Sequence, residues 1–348
     1  MRVPRVLGDP SKSGNYYHVM SRAIDGRFLF GKGGVEAEYF RKLLREHSRF
    51  SGVRVLTYAI MSNHFHLLLE VPNGKRQKEA MGDGELLARL GEIYSKDTLI
   101  GIRQMLARLK RISPEVGYVE YRERILARMY DLSAFVREVK ARFSLWYNKR
   151  VGRKGPLWED RFKSVLAEGR GEVLSTMAGY IDLNAVRAGL VSDPKDYRWS
   201  GYGEAVAGDK EMRRGLAAVH GMEGEDWRRV HGAYRRMLYG AGEEVRPDER
   251  EGGRPARQGL KSGKAREVER REGALSGPEL VRCRVRYFAD GLAIGSRGFV
   301  EEVFARNRER MKVKREAGAR MTRGGVLGDW RTLKDLRGEQ PVVFTGNG

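Results

Sequence analysis

At 348 residues the chain is long enough for about two domains of ordinary size, and a 41% hydrophobic share supports a folded core. Its 67 lysines and arginines against 46 acidic residues leave a net charge of +21 and a pI of about 10.1. Such a protein repels itself unless it meets a polyanion, with nucleic acid the first expectation and an anionic membrane surface the competitor. No apolar run approaches the ~18–20 residues a spanning helix needs. The opening residues, MRVPRVLGDPSKSG, lack the apolar stretch of a signal peptide. The single cysteine, Cys283, excludes an internal disulfide and a cysteine-based zinc site. A cytoplasmic, nucleoid-associated location is the expectation.

In chain order, Tyr16–Arg22 has strand-like content, and residues 35–50 have helical spacing, with Tyr39, Phe40, Leu43, Leu44 and His47 along one side. Residues 53–61 and 64–71 read as strands joined by Ser62-Asn63, an antiparallel hairpin. Residues 75–128 are charged, with helical stretches near 85–94 and 99–110. Residues 131–150 form an amphipathic helix through Phe135, Val136, Val139, Phe143 and Trp146. Residues 157–168 read as a strand of mixed polarity, and 172–189 as one helix stopped by Gly189. Helical patches follow over 206–242. The stretch 243–275 has too few large apolar groups to order itself and reads as a charged flexible linker. Residues 276–348 regain apolar content as a helical accessory region.

Successive strand side chains alternate faces, so His64 and His66 share one face and Phe65 takes the other. Two imidazoles about 7 Å apart at Cβ can converge on one ion. Glu70 continues the histidine face and could sit near such a site. Half-buried histidines bonded to backbone are the structural alternative. On the helix 172–189, Tyr180 and Asn184 are four residues apart and share a face, with Met177 and Arg187 flanking. A phenol and a carboxamide there could serve as nucleophile and oxygen ligand, or only pack the helix.

The blocks GNYYHVMSRAIDGRFLF, YAIMSNHFHLLLEVP, GPLWEDRFKSVLAE, GYIDLNAVRAGLV and DPKDYRWSGY occur in this order. Together, over roughly residues 14–202, they resemble the REP-associated tyrosine transposases of the HUH endonuclease superfamily, named for His-hydrophobic-His. The resemblance implies an α+β fold with a ferredoxin-like antiparallel sheet and packed helices in residues 1–205, here carrying a helical insertion at about 75–128. It implies Tyr180 as catalytic nucleophile, and His64, His66 and Asn184 as ligands of Mg²⁺ or Mn²⁺. It implies a single-stranded, hairpin-forming DNA substrate, and leaves monomer or dimer open. The family usually has proline after the asparagine. Ala185 stands there instead, and as a good helix former it predicts a helix continuing past Asn184.

The implied reaction is metal-dependent cleavage and transfer of a DNA strand through a 5′-phosphotyrosine. A free tyrosine has a pKa of about 10 and is only ~0.1% ionised at pH 7, so a cation must assist. Tyr16 and Tyr17 are read as sheet packing, Tyr147 as the end of the amphipathic helix and His18 as a satisfied core or edge histidine. Arg22, Asn63, Arg161, Lys163 and Arg187 are candidate DNA contacts. Trp158 is a candidate base-stacking residue or a core residue. The turn Gly295-Ser296 within 289–304 could open a recognition helix. A catalytically weak DNA-binding regulator on the same fold is the alternative function, and a hydrolase using water at the same metal a further one.

Overall fold

Strand β1 (Gly14–Arg22) lies inside an antiparallel sheet built from the hairpin β2 (Arg54–Ile60) and β3 (His64–Pro72) and from β4 (Lys163–Ala167). In this computed structural model, which describes residues 5–31, 33–170, 172–239, 284–322, 325, 327–334, 336 and 342–343, the order is β2-β3-β1-β4. Helix α1 (Val35–Ser51) connects β1 to β2, and α6 (Leu132–Arg150) precedes β4. This βαββαβ path with its antiparallel order is the ferredoxin-like α+β core expected above. One face of the sheet is sealed by aromatic side chains. Phe40 of α1, Phe143 of α6 and Phe65 of β3 are fully buried, and the Phe40 and Phe65 rings lie 4.7 Å apart. Tyr17, Val19, Leu67 and Leu69 are buried with them. The residues between, His18, Met20, His66 and Leu68, therefore point to the opposite face.

Residues 75–128 form α2 (Lys75–Ala80), α3 (Asp83–Leu90), α4 (Lys96–Ile112) and α5 (Val119–Leu126). They build a small core of their own from Met81, Leu86, Leu90, Ile93, Ile125 and Met129, closed by Phe50 of α1. Of the 17 residues of α4, Leu106 alone is buried.

The strand expected over 157–168 is shorter than its composition suggested. Trp158 makes only an isolated bridge to Ala23, and regular pairing starts at Lys163. The continuous helix expected over 172–189 is broken. Helix α7 (Glu172–Asp182) ends at Leu183, whose ψ of 1° leaves the helical range, and the single turn α8 (Asn184–Arg187) follows. The Asn184 amide turns back and donates to the carbonyls of Tyr180 and Ile181. A side chain that satisfies end-of-helix carbonyls stabilises a stop, and this local competition outweighs the helix propensity of Ala185.

Helices α9 (Gly201–Val206), α10 (Lys210–Val219) and α11 (Trp227–Tyr239) follow, and α10 covers β2. Gly215 permits this approach, because a Cβ there would lie 2.3 Å from the Leu56 carbonyl oxygen. Asp182 holds the layers together. Fully buried at the end of α7, it accepts from Thr57 of β2 at 2.8 Å, from the Tyr234 hydroxyl of α11 and from the Tyr202 amide.

The expected linker 243–275 lies outside the described residues. Beyond it come β5 (Arg284–Val285), α12 (Tyr287–Asp290), β6 (Ala293–Gly295), α13 (Arg297–Met311), β7 (Arg331–Thr332) and β8 (Val342–Val343). Strand β6 pairs parallel with β4, and β7 pairs with β6, so among the described residues the main sheet has six strands. The Gly295-Ser296 turn thus joins a sheet strand to α13, with Ser296 capping the helix, and does not join two helices of a helix-turn-helix. Among the described residues no helix is long and apolar enough to cross a membrane.

Burial pushes the Asp182 carboxyl up to about 7, against the three hydrogen bonds it accepts. The folded chain therefore holds a proton there that the unfolded chain releases near pH 4, and the contribution of this group to stability falls as pH rises from about 4 to about 7. The difference in Tm between wild type and Asp182→Asn should move in the variant's favour across that window. A difference that stays constant from pH 4 to 7 would contradict it.

Candidate nucleic-acid cleavage site

The site is set by the register between β1 and β3. Arg22 pairs with His64, Met20 with His66 and His18 with Leu68, so His18 stands diagonally beside His66 on one face. The His64 and His66 ring centroids are 5.0 Å apart and the planes nearly perpendicular, at 81°. His66 is buried and His64 half-buried at the strand end.

Each histidine is tied at Nδ1. His64 Nδ1 lies 2.7 Å from Asn63 Oδ1, and Asn63 Nδ2 donates to the Gly26 carbonyl at 3.1 Å. The Gly26 carbonyl fixes which way the Asn63 amide faces, so Oδ1 accepts the His64 proton. His66 Nδ1 lies 2.9 Å from His18 Nε2, and His18 Nδ1 lies 2.7 Å from the Phe288 carbonyl oxygen. Burial drives the His66 imidazole well below the usual histidine range, with His64, His18, Arg187 and Arg22 pushing the same way. Burial also pushes His18 down to about 4, against its bond to the Phe288 carbonyl. Neutral imidazole is the form that ligates metals.

Tyr180 reaches this cluster from α7. Its ring lies 6.4 Å from His66, 6.2 Å from His18 and 4.9 Å from Phe288, each edge to face. The Arg187 guanidinium sits 4.2 Å from its ring centroid and also donates to the Tyr180 carbonyl. Tyr180 is 4% exposed.

The structure thus gathers His64, His66, Tyr180 and Arg187, and it adds His18 and Phe288, which the sequence did not assign to the site. His18 is the satisfied buried histidine expected, but its partner is the candidate ligand His66. The signal for it was the alternation in β1, and it becomes readable only once the β1–β3 register is known. Asn184 stands one turn from Tyr180 on α8, its amide nitrogen committed to backbone carbonyls. Glu70 does not join the cluster. It lies two residue pairs further along β3 than Leu68 and forms an ion pair with Arg54 at 2.7 Å. Among the described residues no group of three His, Cys, Asp or Glu side chains could hold a metal, so a metal here needs the two histidines and an oxygen donor of another type.

The proposed DNA contacts separate by position. Arg22 and Arg161 are exposed. Lys163 is exposed too, yet it pairs with Asp290 of α12 at 2.8 Å. Asn63 buttresses His64, and Arg187 covers Tyr180. Trp158 lies on the far face, packed at 5.4 Å from Phe65 and 5.8 Å from Phe143, with its indole N–H donating to Ser144 at 2.9 Å. Packing is therefore the role its surroundings give it.

No protein-family model matches the chain, and no curated protein matches it. Among solved structures the chain is similar to a REP-associated tyrosine transposase bound to a REP hairpin. The identity is 15% and the TM-score 0.36, over 60% of this chain and 85% of that one. The fold assignment rests on this chain's own strand order and connections.

Replacing Trp158 by Ala should destabilise the protein by about 3 kcal/mol, as truncation of a packed aromatic does. Urea unfolding measures this, and DNA affinity of the folded variant should change less than twofold by gel shift. Unchanged stability with weakened binding would assign Trp158 to the DNA instead.

Proposed function

We propose that the protein is a metal-dependent single-strand DNA endonuclease and strand transferase that acts on hairpin-forming DNA with Tyr180 as nucleophile. The observation that carries the reading is the packing of the Tyr180 ring, under the Arg187 guanidinium, against His66, whose ring lies 5.0 Å from that of His64. The basic surface of a chain with net charge +21 supplies affinity for phosphates.

His64 and His66, each hydrogen-bonded at Nδ1, would hold a divalent ion through Nε2, with Asn184 as a candidate oxygen donor. Imidazole suits Mn²⁺ better than Mg²⁺, so these histidines would hold Mn²⁺ the more tightly of the two. A bound ion supplies Lewis-acid polarisation of a phosphate oxygen. The Tyr180 oxygen attacks phosphorus and loses its proton to solvent. The bond to the 3′-oxygen breaks, the leaving oxygen takes up a proton as a 3′-hydroxyl, and a 5′-phosphotyrosine remains. Attack of a 3′-hydroxyl on that phosphotyrosine reverses the step and reseals a strand, so bond energy is retained and no nucleotide cofactor is needed. Arg187 holds the tyrosine ring and places a fixed positive charge beside it. Because Tyr180 is 4% exposed, phosphate access requires displacement of residues that cover it, Phe288 among them.

That burial also supports the second reading, a DNA-binding regulator with little turnover. The two separate on one experiment. A labelled single-stranded hairpin from beside the protein's own gene is incubated with protein and Mn²⁺, then run on a denaturing protein gel. The proposal expects label at protein size, absent in Tyr180→Phe. Cleavage without that band would make water the nucleophile, and binding without either product would favour the regulator. His64→Ala and His66→Ala should each abolish cleavage while hairpin affinity stays within about threefold, since phosphate contacts dominate binding. Parallel loss of binding and cleavage would contradict the assignment of these residues to the metal.

A further inference from the structure

Helix α12 is a short helix whose carbonyls beyond its first turn have no following turn to bond them. Those of Arg286 and Tyr287 accept from Ala289, Asp290 and Gly291. The Phe288 carbonyl instead accepts from His18 Nδ1 at 2.7 Å, across 270 residues of sequence. Helix α12 is held at this place by the β4–β6 pairing, by the Lys163–Asp290 ion pair, and by complete burial of Tyr287 and Phe288. Its carbonyl is therefore a fixed acceptor.

A carbonyl can only accept, so the proton of a neutral His18 sits on Nδ1 and its Nε2 carries a lone pair. That Nε2 lies 2.9 Å from His66 Nδ1, with the rings within 19° of parallel and centroids 5.1 Å apart. A hydrogen bond there requires the His66 proton on Nδ1, which leaves the lone pair of His66 on Nε2. Asn63 imposes the same tautomer on His64. We infer that His18 is a positioning residue that relays the fixed acceptor of the C-terminal segment to His66, so that both strand histidines present Nε2 to one ligand. The C-terminal segment on this view is part of the metal site of the core, reached through two hydrogen bonds and not by contact with the ion. Both His18 nitrogens are occupied, so His18 is not itself a ligand. The inference uses the metal role of His64 and His66 proposed above.

The test uses the full chain, without metal and then with Mn²⁺ alone. Long-range ¹H–¹⁵N correlation spectra of the imidazoles distinguish the two tautomers directly. In the wild type, His18, His64 and His66 should all carry the proton on Nδ1. His18→Gln supplies an amide NH₂ donor and a carbonyl acceptor, and should keep His66 in that tautomer. His18→Leu fills the space with no acceptor, and should shift His66 toward the Nε2–H form. Loss of such a partner behind a ligating histidine weakens metal binding by ~10–100-fold, so calorimetry should show that loss of Mn²⁺ affinity in His18→Leu, with His18→Gln within about threefold of wild type. Nε2–H on His66 in the wild type would overturn the relay. So would a folded His18→Leu with unchanged tautomer, or with unchanged Mn²⁺ affinity. The expected tautomers together with no Mn²⁺ binding by the wild type would leave the relay standing and remove the metal role.

Discussion

Everything at this site depends on the pairing register of β1 with β3. With Met20 opposite His66, the side chains of His18, His64 and His66 share one face, and Tyr17, Val19, Phe65 and Leu67 fill the core on the other. Strand side chains alternate with a period of two, so a slip of one residue would send the histidines into the aromatic layer and the phenylalanine into the site. The apolar packing of Phe40, Phe65, Phe143 and Trp158 is thus also what aims the histidines. Chemistry and core are read from alternate residues of the same strand.

Much of this was legible in the chain. Alternation in HFHLLLEV gave the histidine face, the Ser62-Asn63 turn gave the hairpin, and the apolar spacing of 131–150 gave α6 almost to the residue. What failed was local. The helix break at Leu183 depends on an Asn184 side chain that turns back onto backbone carbonyls, a competition that propensity does not weigh. The Gly295-Ser296 turn could be read as opening a recognition helix because the three residues Ala293–Gly295 before it, with Ile294 at the centre, carry no period of their own. Their pairing with β4 identifies them as a strand. His18 and Phe288 were invisible as site residues, because 270 positions separate them and only the folded sheet brings them together.

The C-terminal segment also changes how access to the tyrosine is understood. Phe288 and Arg187 lie against the Tyr180 ring, so the segment that carries the acceptor of His18 also covers the proposed nucleophile. A buried tyrosine is protected from idle reaction, and the helix break between α7 and α8 lies directly after it. Exposing the phenol while keeping the histidines aimed requires the Phe288 side chain to move more than the Phe288 carbonyl.

The proposed metal-assisted centre joins His64, His66 and Tyr180. Anomalous diffraction from crystals of the full chain grown with Mn²⁺ tests it most directly. A manganese peak is expected within bonding distance of Nε2 of both His64 and His66, on the side of the sheet where α7 carries Tyr180. Manganese bound only elsewhere, or bound to these histidines through Nδ1, would contradict it.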